Sequence, residues 1–261
     1  IEPSLQFNEY SEIVKCREVD AIYISTLNNT HFNLIEMCAL GKKNVLCEKP
    51  FCLDLVEANK LKEIINKSKI KFFEGIAYLS HPQTKKILNL INNNEIGEVF
   101  SIESFFGFKV KKIDPNSRLF NKKLGGGAIL DIGCYPLSFI SLFNNEKNDL
   151  IFKSSSRKIC STNVDITSSA NIIINNKINC KIEVSLEKNL KNNTIIYGSK
   201  GHLIINTPWL PDKKTFLEIF TNTRYYKLFT NSDLSVYANQ IKNISNEFLE
   251  KNNDKLRLFK I

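Results

Sequence analysis

Asn44-Val45-Leu46-Cys47-Glu48-Lys49-Pro50 is the stretch on which the fold turns. Its apolar centre between polar ends describes a short strand buried on both faces. Pro50 holds the residue before it extended and outside any following helix. Lys49 therefore stands at the carboxyl end of a buried parallel strand, the edge at which open α/β sheets bind ligands. On its own, the same lysine also reads as a strand end reaching for water.

Upstream, Asp20 to Thr26 (DAIYIST) forms another buried strand. After the polar turn Leu27-Asn28-Asn29-Thr30, the apolar positions from His31 to Leu40 recur with helical spacing, with Thr30 placed to cap that helix and Gly41 to end it. Downstream, Asp54 and Glu57 make a capping-box pattern opening a helix through Ile65, and Lys71 to Ile76 returns as a strand. Two such crossovers in succession predict a doubly wound parallel sheet.

From Pro82 the pattern changes. A helix is expected from Pro82 to about Asn94 with Gly97 ending it, then a strand from Val99 to Phe108 and a glycine-led apolar segment from Gly125 to Phe143. Asn163 to Phe229 reads as strands joined by tight turns at Asn175-Asn176-Lys177 and Ser199-Lys200-Gly201, followed by an amphipathic helix from Ser235 to Lys251. The expected fold class is α/β: an incomplete parallel-sheet domain over residues 1–78 and an α+β domain with a largely antiparallel open sheet over 79–261.

Composition supports two ordinary cores, with 261 residues, 43% hydrophobic and 24% charged. The net charge of +9 is spread along solvated helix faces, apart from Lys109, Lys111 and Lys112, and no nucleic-acid-binding motif accompanies it. Seven cysteines, odd in number and set in apolar runs without metal or redox spacing, read as reduced core residues of a cytoplasmic protein with no metal. No apolar run approaches bilayer-spanning length and no leader segment is visible, so no membrane partner is expected. Glu2-Pro3-Ser4-Leu5 reads as the middle of a longer frame.

Other ordered motifs join Lys49: the Asp20 to Thr26 strand followed by Asn28 and His31, GIAYLSHPQ at 75–83, RLFNKKLGGGAILDIGCYP at 118–136 and YGSKGHLIINTPW at 197–209. With Glu48-Lys49-Pro50 behind a buried strand, they resemble the Gfo/Idh/MocA family of oxidoreductases along nearly the whole chain. Tyr135, where many members carry His, resembles the branch containing dihydrodiol dehydrogenase, glucose-fructose oxidoreductase and some sugar 1-dehydrogenases.

The resemblance implies a Rossmann-type nucleotide-binding domain, NADP or NAD as cofactor with NADP favoured, and a sugar, cyclitol or diol substrate. It implies a homodimer or higher homo-oligomer through the C-terminal sheet. Lys49, Asp131 and Tyr135 would carry the chemistry, and Thr26, Asn28, His31, Glu48, Lys49 and Pro50 would contact the cofactor. Hydride transfer from a carbinol carbon needs a base for the hydroxyl proton. Tyr135 offers a phenol whose ordinary pKa, about 10, a nearby ammonium such as Lys49 would lower. Lys49 would also donate to the substrate oxygen, and Asp131 would accept from a second hydroxyl.

Asp131 and Tyr135, four apart, share a helix face, and Pro136 should kink the segment there. Taken alone, Tyr135 reads as a core-edge aromatic and the turn at 27–30 as an ordinary Asn-rich turn. His81-Pro82 follows the family pattern, whereas Leu79 stands where relatives often carry Arg. His202 reads as a surface hairpin residue. Gly125-Gly126-Gly127 lacks phosphate-loop spacing and is expected to let backbone approach the substrate or the preceding loop.

No strand runs into GxGxxG. The loop for the pyrophosphate, and the residue choosing NAD or NADP, are expected upstream of Ile1, and the family's last helix beyond Phe259-Lys260-Ile261. A chain with these limits is expected to bind nicotinamide cofactor poorly. Two other classes stand beside the dehydrogenase: a non-catalytic sugar- or cofactor-binding protein on the same scaffold, and a basic nucleic-acid binder.

Overall fold

The computed structural model describes residues 4–144 and 150–249, and the expectations that fall on Glu2-Pro3, Lys251 and Phe259 to Ile261 lie outside them. Contacts divide the chain into two units, one comprising residues up to Gly75 together with the chain from Ile244, the other Ile76–Asn243. The sequence division at 78/79 gave the whole terminal helix to the second unit. Contact density instead assigns its last turn to the first.

In the first unit, α1 (Tyr10–Lys15) precedes β1 (Ala21–Ile24), α2 (His31–Leu40), β2 (Asn44–Glu48), α3 (Leu55–Ser68) and β3 (Phe72–Gly75). The strands pair in parallel in the order β1-β2-β3, with Ile24 level with Cys47 and Cys47 level with Glu74. Val45, Leu46 and Cys47 are all buried, as a central strand covered on both faces requires. One side of that cover is α2, which buries Leu34, Ile35, Cys38 and Ala39 at helical spacing.

Local signals at the helix ends differ in detail from expectation. Asp54 caps α3 by accepting from the Glu57 amide at 2.9 Å, while Glu57 reaches the amide of Leu53 at 2.8 Å. Thr30 makes no side-chain cap on α2; its hydroxyl donates to the Leu27 carbonyl at 2.8 Å, within the 3₁₀ turn Asn28–Thr30. Gly41 ends α2 at φ −79°, and the left-handed residue is Lys42. Glycine is needed at 41 for space, because a Cβ there would lie 2.1 Å from Val14 Cγ1.

The second unit contains α4 (Pro82–Asn92), β4 (Val99–Gly107), α5 (Cys134–Ser141), β5 (Leu150–Ile159), β6 (Asp165–Ile174), β7 (Ile178–Ser185), β8 (Thr194–Gly198), β9 (Gly201–Ile205), β10 (Phe216–Thr221) and β11 (Tyr225–Phe229). These strands form one sheet in the order β11-β10-β9-β8-β4-β7-β6-β5, antiparallel except for the β4–β7 pair. Asn175 and Asn176 both adopt positive φ in the β6–β7 turn, as a tight hairpin demands. β5 carried no strand signal, since LIFKSSSRKI lacks alternation and is exposed throughout; pairing to β6 alone makes it a strand.

His202 is a hairpin residue, opposite Tyr197 in the β8–β9 pair. It lies in β9, stacked on Phe220 with ring centroids 4.5 Å apart, between Tyr197 and Phe220 on neighbouring strands. The last helix, α6 (Val236–Phe248), carries Phe248 against Phe73 of the first unit at 5.4 Å, and Lys71 Nζ donates to the Glu247 carbonyl at 2.8 Å. The helical stretch Lys122–Ser141, 20 residues long, is long and apolar enough to cross a membrane, contrary to the sequence reading. More than half of it is buried inside the protein, as in a core helix of a globular domain.

Candidate active site

At the carboxyl edge of the first sheet, the turn after β1, the loop after β2 and the end of β3 lie level. Thr26 is half-buried and its hydroxyl is 2.6 Å from that of Thr30; because Thr30 donates to Leu27, Thr26 is the donor of this pair. Asn28 is buried. Glu48 is half-buried and accepts from the Tyr23 hydroxyl. Lys49 is half-buried, and the Lys49–Pro50 peptide is cis.

His31 is fully enclosed, with Nδ1 2.8 Å from the Pro50 carbonyl oxygen and Nε2 3.2 Å from that of Thr26. Both partners are acceptors, and the shorter distance marks Nδ1 as the donor. The ring thus spends its polar atoms inside the chain. Glu74, which the sequence reading passed over, accepts from the Phe51 amide at 3.1 Å. Burial pushes its carboxyl up to about 7, against the pull of the Phe51 amide and the Lys49 ammonium. The signal for it was present: a single charge inside the apolar run Phe72-Phe73-Glu74-Gly75-Ile76.

Along the outer edge of β1, which pairs with no strand among the described residues, runs an apolar cavity of about 240 Å³. Tyr10, Ile13, Ile22, Tyr23, Leu34 and Met37 line it.

In the second unit, Asp131 lies on a π-helical turn, Ile129–Gly133, that runs directly into α5, where Tyr135 is the second residue. Pro136 falls in the first turn of α5, so the expected kink is absorbed as the change from the wider π winding to α winding. Asp131 is 5% exposed and pairs with Arg118, whose Nη1 is 2.7 Å from Oδ1. A buried carboxylate needs such a partner. Arg118 stood in a quoted motif without a role.

Tyr135 is buried, and its ring centroid lies 5.4 Å from Phe106, 6.0 Å from Trp209 and 6.4 Å from Tyr78. Ser138 donates to the Tyr135 carbonyl at 2.8 Å, so the Tyr78 hydroxyl donates to Ser138 at 2.8 Å. Burial pushes the Tyr78 phenol well above its ordinary value. Trp209, 2% exposed, touches the same rings and donates to the Phe105 carbonyl at 3.2 Å. An isolated tryptophan in the sequence gives no hint of this cluster.

Two of the three glycines permit close approaches beside the π turn. A Cβ on Gly126 would lie 2.8 Å from the Leu119 carbonyl oxygen, and one on Gly127, at φ +122°, 2.3 Å from Asp165 Oδ1. The other oxygen, Asp165 Oδ2, accepts from the Ile129 amide at 2.9 Å and so holds the start of the turn. Close approach to the preceding loop is what Gly126 provides, and close approach to Asp165 what Gly127 provides.

A family profile described as "Oxidoreductase family, NAD-binding Rossmann fold" matches residues 2–76, and "GFO/IDH/MocA C-terminal domain" matches 84–204. The chain belongs to the Gfo/Idh/MocA oxidoreductase family. Among relatives, this family member is 30% identical to trans-1,2-dihydrobenzene-1,2-diol dehydrogenase of Xenopus tropicalis over 209 residues, 78% of this chain and 61% of the relative. It is 34% identical to D-xylose 1-dehydrogenase (NADP(+)) of Hypocrea jecorina over 142 residues, 51% of this chain and 36% of that one. A solved 3-ketoreductase from Actinomadura kijaniata, in complex with NADP and TDP-benzene, shares the fold at TM-score 0.83 and 23% identity, over 95% of this chain and 76% of that one. The chain spans about three fifths of the length of the curated diol dehydrogenases it matches.

Proposed function

We propose that the protein of which this chain forms the matched part is a nicotinamide-dependent dehydrogenase acting on a sugar, cyclitol or diol hydroxyl. The observation that carries this is an ammonium, Lys49, at the level carboxyl edge of a parallel sheet, in a chain that also presents an acid on a π turn and a phenol in the helix that continues it. Relatives named as diol and xylose dehydrogenases support the substrate class.

The first sheet's edge fits the ring-and-sugar end of NADP or NAD: hydroxyl and amide side chains at Thr26 and Asn28, with Lys49 and Glu48 at the next strand end. NADP is favoured by the named cofactor of the xylose dehydrogenase relative. When bound, the nicotinamide would take up hydride from the substrate carbinol carbon. Lys49 would donate to the substrate oxygen, Tyr135 would accept the hydroxyl proton, and Asp131, oriented by Arg118, would accept from a second hydroxyl. The open edge of β1 with its apolar cavity is where a further strand, leading into a phosphate-binding loop, would complete the site.

A homodimer would form through the sheet face that carries the ladder Tyr197, His202, Phe220 and Tyr225. Seven cysteines without a disulfide fit a reducing, cytoplasmic setting.

In the full-length protein, Tyr135→Phe and Lys49→Met should each lower turnover about 10²-fold or more, with NADPH affinity within about twofold of wild type in Tyr135→Phe. Wild-type turnover in either variant removes that residue from the chemistry. Fluorescence titration with NADPH and NADH should show weaker binding to residues 1–261 than to the full-length protein. Equal affinity would mean that this chain already holds the whole cofactor site.

A further inference from the structure

The peptide group between Pro50 and Phe51 is gripped at both of its polar atoms. Its carbonyl oxygen lies 2.8 Å from Nδ1 of the enclosed His31, and its N–H donates to Glu74 Oε1 at 3.1 Å. His31 opens α2, in the chain that follows β1, and Glu74 lies in β3; the two strands flank β2 on opposite sides. A peptide unit is planar and rigid, so fixing its oxygen and its nitrogen fixes its orientation. The residue immediately before Pro50 is Lys49.

We propose that His31 and Glu74 are positioning residues which clamp the Pro50–Phe51 peptide and thereby set where the Lys49 ammonium stands. The clamp itself stands on the geometry; its importance for turnover rests on the role given to Lys49 above. Phe51 adds a third restraint, its ring edge-on to Phe72 at 5.6 Å. His31 thus acts on the candidate cofactor edge by holding backbone.

One grip titrates. Glu74 faces the Lys49 ammonium, the Glu48 carboxylate and the Cys47 and Cys52 thiols, and its carboxyl is pushed by burial up to about 7. An ionised carboxylate accepts an amide proton more strongly than a neutral acid does. The Phe51 bond should therefore loosen as pH falls through about 7.

The test is amide hydrogen exchange at Phe51 in the ¹⁵N-labelled chain, expressed as protection relative to intrinsic exchange. Wild-type protection should fall about tenfold between pH 8 and 6, and Glu74→Gln, which keeps an acceptor that does not ionise, should remove that pH dependence. His31→Asn places an amide donor where Nδ1 was and should preserve protection. His31→Gln places it where Nε2 was and should lose about tenfold. Lys49 acetylation, measured by peptide mass spectrometry against the exposed Lys60, should quicken in His31→Gln and not in His31→Asn.

Equal protection in the two His31 variants, or a pH profile that Glu74→Gln leaves unchanged, overturns the clamp. An unaltered Lys49-to-Lys60 ratio overturns its hold on Lys49. If both His31 variants fail to fold by circular dichroism, the pH profile of Glu74→Gln decides alone. Full turnover in Lys49→Met is a separate result: it would remove the catalytic role of Lys49 and leave the exchange data untouched.

Discussion

Lys49 and Tyr135 sit in surroundings of opposite kinds. Around Lys49, half-buried or enclosed polar side chains hold backbone: His31 on the Pro50 carbonyl, Glu74 on the Phe51 amide and Thr30 on Leu27. Around Tyr135, rings hold a ring: Phe106, Tyr78 and Trp209 surround it, and hydrogen bonds from Tyr78 and Ser138 tie down the helix beneath. Polar anchoring is directional and responds to pH, whereas aromatic packing depends on volume and is indifferent to pH over the neutral range. Mutations should therefore separate the two regions by the shape of their pH response as well as by size.

The largest effect is expected from Trp209→Ala, which empties the centre of the aromatic cluster and should cost about 3–5 kcal/mol in urea unfolding. That loss should be the same at pH 6 and pH 8. A loss that varied strongly between them would break the contrast, because no group in the cluster ordinarily titrates there.

Next comes Glu74→Gln. Glu74 rises from its ordinary 4.5 to about 7 in the fold, so the folded state favours the neutral acid. The stability this group contributes is present below about 4.5 and is lost as pH rises through about 7, amounting to about 3 kcal/mol. The variant should thus match wild type near pH 4.5 and gain on it up to pH 8, although the local bond to Phe51 is strongest when Glu74 is charged. Parallel unfolding profiles for the two proteins would show that Glu74 keeps its ordinary value.

The smallest effect sharpens the comparison from outside both sites. Asp54→Ala removes the α3 cap and should cost about 1 kcal/mol by urea unfolding. A cost above about 3 kcal/mol would mean that Asp54 also supports the Lys49 loop.

Much of the first unit was legible because its signals are local. The bounds of α2 and β2 follow from helical spacing and from an apolar run, and Asp54 caps α3 as the pattern implied. α1 and β5 were not legible: one is a six-residue helix, the other an exposed serine-rich strand formed through its neighbour. Of the candidate site, Lys49, Asp131 and Tyr135 emerged from motifs. Arg118, Tyr78 and Trp209 lay in those motifs without a role, and Glu74 lay outside them, because each matters through a partner distant in sequence: Trp209, for instance, bonds to the carbonyl of Phe105.

The sequence by itself determined the strand and helix periods of the first unit, the glycines at 125–127 and the family signature, since these depend on neighbours a few residues apart. Tertiary structure alone decided that the Pro50–Phe51 peptide has two handles, that a π turn carrying Asp131 runs into the helix of Tyr135, and that His202 belongs to a ladder of rings. The physical reason is that hydrogen bonds to a strand end and contacts between rings are made across the sheet. Only folding brings such partners within a few ångströms.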